Sequence, residues 1–146
     1  MTDKLPQALK VALADTFAFY LKAHNFHWNV TGPNFSEYHS FLGGLWEETF
    51  AAVDLIAEGI RTLDAFAPGS FTRYKELSTI EDELKIPSAI DMLKKLEADN
   101  QKVLASLNSA YELAESAKKH GISNFLQDRI TAHEKHGWML RSFIKA

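Results

Sequence analysis

Two histidines and two carboxylates in the first half of the chain have the types and spacing of a metal site. His27 and His39 are twelve residues apart, and Asp54 and Glu58 are four apart. Neutral imidazoles suit divalent transition metals such as iron or zinc, and carboxylates at i and i+4 lie on one face of a helix. Together the four side chains offer two nitrogen and two oxygen donors, so the chemistry they suggest is metal binding.

A single helix cannot bring these donors to one ion. If His39 and Asp54 share a continuous helix, the fifteen residues between them span roughly 22 Å at about 1.5 Å per residue. Two copies of the chain related by a two-fold axis remove the difficulty, because the histidines of one copy can then meet the carboxylates of the other. The sequence therefore predicts a metal-binding oligomer.

Each of these residues also has an ordinary structural interpretation. A lone histidine is more often a surface or hydrogen-bonded side chain than a ligand, and Asp-x-x-x-Glu is common on solvated helices. Trp28 directly follows His27. Its indole could donate an electron to a redox metal, or it could simply pack at a helix end or a subunit contact. Spacing alone leaves these alternatives open.

The bulk composition is that of one ordinary globular domain. We expect the 146 residues, 46% of them hydrophobic and 24% charged, to form a single domain over 1–146. The net charge of −3 argues against a strongly basic nucleic-acid binder. The absence of cysteine excludes thiolate ligands and fits a cytoplasmic protein. Without a long apolar run or a signal-peptide region, we expect no membrane segment.

Four long segments with apolar residues at helical spacing must position the candidate ligands. They cover about 5–30, 35–63, the stretch from 88 onward, and the stretch from 123 to the C-terminus. The first and last links are short and predict two antiparallel hairpins. The middle link, about 64–87, is long enough to cross the bundle and is expected to hold a small helix near 71–77. This connectivity is that of an all-α, ferritin-like four-helix bundle.

Polar residues in the second half of the chain bear on this prediction. Ser88 and Asp91 resemble a capping box at the start of the third segment, and Asn100 interrupts its apolar stripe. His133 is expected at the edge of the core and His136 on the surface. Their spacing of three does not match the zinc-protease motif, which needs four. The in-bundle di-iron site of ferritin-like proteins uses Glu-x-x-His, which does not occur in this sequence.

These residues resemble the Dps family, the DNA-binding proteins from starved cells, which are mini-ferritins. The family pattern is His-Trp, a second His twelve residues later, an Asp fifteen further on and a Glu four beyond it. His27, His39, Asp54 and Glu58 match every interval. The run from His133 to Arg141 is similar to the family's last helix, so the resemblance covers nearly the whole chain.

The resemblance implies a shell of twelve identical subunits with a ferroxidase site at each two-fold interface. His27 and His39 would come from one subunit, and Asp54 and Glu58 from its mate. Trp28, by its position directly after His27, remains a candidate electron donor. Proteins of this kind oxidise Fe(II), typically with hydrogen peroxide, or with oxygen. They store the ferric mineral inside, which removes both Fenton reactants under oxidative stress. By the chemistry of the same nitrogen and oxygen donors, zinc is a candidate substitute for iron.

The sequence departs from the family pattern in three places. Gly43 stands where many relatives carry an acidic ligand to a second iron, and Gly59 stands where an Arg is frequent. The expected three-fold pore positions are less acidic, with Lys119, His120 and Asn124 beside a retained Asp128. These departures leave open an alternative function, that of a structural or DNA-protecting shell with a degenerate metal centre.

Two further features concern the inner surface and DNA. Glu47 and Glu48 are candidate iron-binding residues on the cavity side, although a solvated helix face is the simpler interpretation. The termini lack a lysine-rich tail, and a shell with −3 charges per subunit would repel phosphates at physiological salt. We therefore expect no DNA binding.

Overall fold

Five helices build the part of the chain that the structure describes. The computed structural model describes residues 4–145. Its helices are α1 (Lys4–Asn29), α2 (Phe35–Thr62), α3 (Phe71–Leu77), α4 (Ala89–Ser116) and α5 (His120–Ile144). The predicted all-α, ferritin-like bundle with a short helix in its crossover is confirmed. The last long helix begins at His120, three residues earlier than the apolar stripe indicated.

Two helix hairpins pack against each other to form the bundle. α1 packs along α2 and α4 along α5, while α1 also lies against α4. The apolar stripes meet in a continuous core, in which large side chains such as Leu13, Phe19, Ile56 and Leu126 have no exposed surface. Burial of each such side chain stabilises the fold by about 1.5–3 kcal/mol. Within residues 4–145, no helix is long and apolar enough to cross a membrane.

The turn between α1 and α2 depends on two residues with positive φ. Gly32 has a φ of 106°, which side chains rarely permit, and Asn34 has a φ of 66° in the left-handed region. The Phe35 amide donates to the Gly32 carbonyl at 3.2 Å and closes the turn. The result is a tight reversal that places the end of α1 beside the start of α2.

Asp15 on α1 holds the crossover in place. Its carboxylate is fully buried. It accepts hydrogen bonds from the Ser78 hydroxyl at 2.8 Å, from the Thr79 amide and hydroxyl at 2.7 and 2.9 Å, and from the Ser106 hydroxyl of α4 at 2.7 Å. The end of the crossover helix is therefore tied to both hairpins through one side chain.

The start of α4 is capped as the sequence predicts. The Ser88 hydroxyl accepts a hydrogen bond from the Asp91 amide at 3.3 Å. This bond satisfies one of the free amides of the first helical turn.

Candidate metal centre

His27 and His39 lie side by side where α1 and α2 meet. His27 Nδ1 is 2.7 Å from the His39 carbonyl oxygen, and His39 Nδ1 is 2.8 Å from the His27 carbonyl oxygen. A carbonyl oxygen can only accept, so each Nδ1 carries the proton and donates. The rings stack with centroids 3.8 Å apart and an angle of 16° between their planes.

This reciprocal arrangement suits metal binding. Because both Nδ1 atoms are committed to carbonyls, both Nε2 lone pairs remain available, and the tautomer and the direction of each ring are fixed. Ligating histidines generally donate their second N–H to a carbonyl or a carboxylate in this way. The two unprotonated Nε2 atoms are therefore the donors that could bind a divalent transition metal.

Gly43 allows the His27 ring to lie against α2. A Cβ at position 43 would stand 3.1 Å from His27 Cε1 and 3.3 Å from its Nδ1, whereas a Cβ at Gly44 would meet nothing within 4 Å. Of these two adjacent glycines, Gly43 is therefore the one that permits close packing against α1. The space beside position 43, where many relatives in the family that this sequence resembles carry an acidic side chain, is here occupied by the His27 imidazole.

Asp54 and Glu58 lie far from the histidine pair in the same chain. α2 is continuous from Phe35 to Thr62, so the rise from His39 to Asp54 is about 22 Å. Both carboxylates are exposed, and neither has a hydrogen-bond or ion-pair partner within residues 4–145. Over the same residues, no group of three or more His, Asp or Glu side chains could hold a metal. One chain assembles the two histidines and leaves the two carboxylates apart from them.

An aromatic cluster that was not anticipated adjoins the histidine pair. The His24 ring lies between two indoles, with its centroid 3.8 Å from Trp46 and 3.9 Å from Trp28. The Tyr20 hydroxyl is 3.0 Å from His24 Nδ1. Burial, and then the neighbouring His27, lower the pKa of His24. Only Trp28 was predicted to have a role here, although the i, i+4 spacing of Tyr20, His24 and Trp28 already placed all three on one face of α1.

Glu48 is part of a polar cluster between α2 and α5. Its carboxylate accepts two hydrogen bonds from the Arg129 guanidinium and one from His136 Nε2 at 2.7 Å. Burial alone would raise the pKa of the Glu48 carboxyl. The hydrogen bonds from His136 and Arg129, with the charge of Arg129, instead hold that pKa well below its ordinary value.

These contacts correct two predictions. The carboxylate of Glu48 is not free on a solvated face, because Arg129 and His136 bind it. His136 is buried rather than at the surface, for the same reason. Glu47 is exposed, as a solvated face requires.

His133 lies deeper in the same region and explains the polar break in the α4 stripe. Its Nδ1 donates to Asn100 Oδ1 at 2.8 Å, while Asn100 Nδ2 donates to the His133 carbonyl at 2.8 Å. Arg129 Nη2 lies 3.2 Å from His133 Nε2 and donates to it. Burial, followed by the positive charge of Arg129, lowers the pKa of His133 well below its usual value. His133 is fully buried and neutral rather than at the core edge.

The other departures from the family pattern occupy defined places. A Cβ at Gly59 would stand 2.8 Å from Phe125 Cζ, so the glycine makes room for an aromatic ring of α5. The predicted pore residues lie at or near the start of α5, and all are exposed: Lys119, His120, Asn124 and Asp128. Their part in a pore stays a prediction.

Comparison with known proteins identifies sequences and structures that are similar to this chain. Residues 6–146 match the sequence profile of the ferritin-like domain. A relative from Bacillus anthracis named DNA protection during starvation protein 2 is 31% identical over 144 residues, which cover 99% of each chain. A low temperature-induced protein of Nostoc, itself uncharacterized, is 32% identical over 155 residues, covering 99% of this chain and 84% of its own.

A solved structure shares the same fold. The crystal structure of a Dps protein from Vibrio cholerae O1 superposes with a TM-score of 0.94 at 28% identity, covering 99% of this chain and 91% of that one. Its description places it in a broad superfamily of ferritin-like diiron-carboxylate proteins. Fold and sequence together define a ferritin-like protein. Within that class, the chain belongs to the Dps family.

Proposed function

We propose that this protein oxidises Fe(II) and stores the ferric product within a shell of identical subunits. The observation that carries the proposal is the His27–His39 pair, in which both Nδ1 atoms are anchored on carbonyls and both Nε2 atoms are free. Membership of the Dps family, with a V. cholerae relative described as ferritin-like and diiron-carboxylate, supports iron as the metal.

Asp54 and Glu58 of a second copy complete the proposed site. Within residues 4–145 these exposed carboxylates have no partner, so they remain available to a metal bound by another subunit. The hairpin formed by α1 and α2 exposes large apolar side chains, a feature that marks an interaction surface. These side chains are Leu21, Trp28, Phe35, Phe50 and Leu55. A two-fold axis across this face would create two equivalent sites, each with the histidines of one copy and the carboxylates of the other. We propose that twelve such subunits form the closed shell.

The proposed chemistry takes Fe(II) as substrate and hydrogen peroxide or oxygen as oxidant. Two imidazole nitrogens hold the ferrous ion, and two carboxylate oxygens favour the harder ferric product. Each peroxide accepts two electrons and two protons to become two waters, while each Fe(II) supplies one electron. Trp28 is a candidate donor of further electrons beside the site. Zinc, which takes the same donor types, would compete for the position.

Mixing of two inactive variants tests whether the site is shared between subunits. The first, His27→Ala/His39→Ala, lacks the nitrogen donors, and the second, Asp54→Asn/Glu58→Gln, lacks the carboxylates. Each alone should lose rapid Fe(III) formation after anaerobic Fe(II) loading and peroxide addition. Random mixing makes about half the dimers mixed, and each mixed dimer keeps one complete site of two. The mixture should therefore recover about a quarter of the wild-type amplitude.

Other results of this experiment contradict the proposal. If ligands came from one chain, the mixture would remain inactive. If the wild type and both variants oxidised Fe(II) at the same slow rate, the alternative function would be favoured: a structural or DNA-protecting shell with a degenerate metal centre. Gly43 and Gly59, where the sequence departs from the family pattern, are the residues that motivate this alternative.

A further inference from the structure

The surroundings of His27 limit the number of electrons that one site can supply, and this inference rests on the proposed function. Gly43 has no side chain that could bind a second iron, and the His27 ring occupies the space beside Gly43. One bound Fe(II) gives one electron, but a peroxide needs two. If the second electron is not delivered, breaking the O–O bond releases a hydroxyl radical.

The aromatic cluster beside the site can conduct that second electron. The Trp46 ring centroid is 6.4 Å from that of His27 and 6.0 Å from that of Tyr20. His24 lies beside both Tyr20 and His27, with ring centroids 5.5 and 6.1 Å away, and it stacks on Trp46 with an angle of 9° between the ring planes. Tyr20, Trp46 and His27 thus form a short series of close rings that ends at a proposed iron ligand.

Tyr20 differs from its neighbours because its proton has an acceptor. With His24 neutral and protonated on Nε2, the phenolic O–H donates to His24 Nδ1 at 3.0 Å. A phenol that loses an electron must also lose its proton, and here the base is already hydrogen-bonded to it. By contrast, the indole Nε1 of Trp46 is buried without a hydrogen-bond partner among residues 4–145.

We propose that Tyr20 is the internal electron donor of the site and that His24 takes up its proton. One Fe(II), one hydrogen peroxide, the Tyr20 phenol, neutral His24 and two protons from solvent give Fe(III), two waters, a neutral tyrosyl radical and the His24 imidazolium. The O–O bond breaks, the iron and the phenol are each oxidised by one electron, and the phenolic proton moves to Nδ1. No hydroxyl radical is released.

Tyr74 provides a matched control for this proposal. It stacks on Phe17 with centroids 4.7 Å apart, and Phe17 in turn contacts Tyr20 at 5.6 Å. Its hydroxyl has no hydrogen-bond partner within residues 4–145, and burial raises the pKa of Tyr74. The two tyrosines therefore lie in one aromatic row, but only Tyr20 has a base for its proton.

The experiment uses the assembled protein with ring-deuterated tyrosine, loaded anaerobically with substoichiometric Fe(II), mixed with peroxide and frozen rapidly. Electron paramagnetic resonance should show a tyrosyl radical in the wild type and in Tyr74→Phe, with hyperfine structure narrowed by the deuterium. Tyr20→Phe should lose this signal. In the same variant, the yield of spin-trapped hydroxyl radical for each Fe(III) formed should rise several-fold. His24→Phe, which keeps an aromatic ring but removes the base, should resemble Tyr20→Phe.

Two readouts separate this proposal from the proposed function. Rapid Fe(III) absorbance with an unchanged tyrosyl signal and spin-trap yield in Tyr20→Phe would overturn the role of Tyr20 alone. A signal that disappears only in Trp28→Phe would overturn it in favour of the exposed indole. A wild type without rapid Fe(III) formation would overturn the ferroxidase proposal and the donor with it.

Discussion

Gly43 and Gly44 are neighbours in α2 with different surroundings, so the same substitution should act differently at each. Gly44→Ala places its methyl in open space and should raise the free energy of unfolding by about 1 kcal/mol through helix propensity. Gly43→Ala gains the same propensity but presses a Cβ against His27 Cε1 at 3.1 Å. Under the proposed function, displacing the His27 ring from its supporting hydrogen bond costs about tenfold or more in metal affinity.

Urea unfolding and anaerobic Fe(II) titration of both variants measure these effects. We expect Gly43→Ala to be less stable than Gly44→Ala and to bind Fe(II) at least about tenfold more weakly, while Gly44→Ala binds as the wild type does. Equal iron affinities in the two variants would show that the His27 ring does not depend on the space at Gly43.

At the residue scale, the sequence encodes the contacts that follow from local spacing but gives no sign of contacts between distant positions. The placement of His27 beside His39 follows from twelve residues folded about a tight turn, and the structure brings them together. The pairing of Glu48 with Arg129 joins positions 81 apart in sequence, and helical periodicity carries no information about it. His136 was wrongly expected at the surface because its partner lies on another helix.

At the scale of elements, Asp15 should decide whether the crossover stays attached to the bundle. Asp15→Ala leaves the Ser78, Thr79 and Ser106 donors without their shared buried acceptor. Because unsatisfied buried donors cost about 1–3 kcal/mol each and water can replace some of the bonds, we expect a loss of about 3 kcal/mol. Urea unfolding gives this loss, and faster hydrogen exchange at the Thr79 amide locates it.

Asp82 on the same crossover supplies the control, since it is exposed and has no hydrogen-bond partner within residues 4–145. Asp82→Ala should change the free energy of unfolding by less than about 0.5 kcal/mol. A comparable loss in both variants would mean that the charge of the crossover, and not the Asp15 hydrogen bonds, sets its stability.

The elements themselves were the most predictable part of the molecule. Long stripes of apolar residues and short links specify α1, α2 and α4, and Ser88 marks the start of α4. The small helix over Phe71–Leu77 also lies where it was expected. The anchoring of the crossover was not foreseen, because a lone Asp within an apolar stripe gives no sign of which loop will meet it.

At the scale of the whole molecule, the neutral His133 in the bundle centre should make the protein sensitive to mild acid. The pKa of His133 is lowered in the folded state by burial and by Arg129, so the unfolded chain takes up a proton near pH 6.5 while the folded chain does not. Stability should therefore fall as pH drops below about 6.5, by up to about 1.4 kcal/mol per pH unit. Glu48, whose pKa is also lowered, keeps its stabilising charge throughout this window.

Urea midpoints measured near pH 7 and near pH 5.5 test this dependence. In His133→Gln, an amide can donate to Asn100 and accept from Arg129 without titrating, so the slope should be smaller, by up to about 1.4 kcal/mol per pH unit. His24, whose pKa is lowered as well, titrates in both proteins and cancels in the comparison. Identical slopes would mean that His133 is not the source of the acid sensitivity.

Under the proposed function, the mutual bonds between the two imidazoles and the two backbone carbonyls have a consequence for the timing of iron chemistry. They tie the last turn of α1 to the beginning of α2, so a single chain already holds both imidazoles in a fixed orientation. Docking of a second copy would then have only to deliver the carboxylates of Asp54 and Glu58, at the step that begins to enclose the interior of the proposed shell. Under the proposed function, an unassembled subunit lacks the carboxylates of a second copy and does not oxidise Fe(II). Ferric mineral then begins to form only where the protein shell is already assembling.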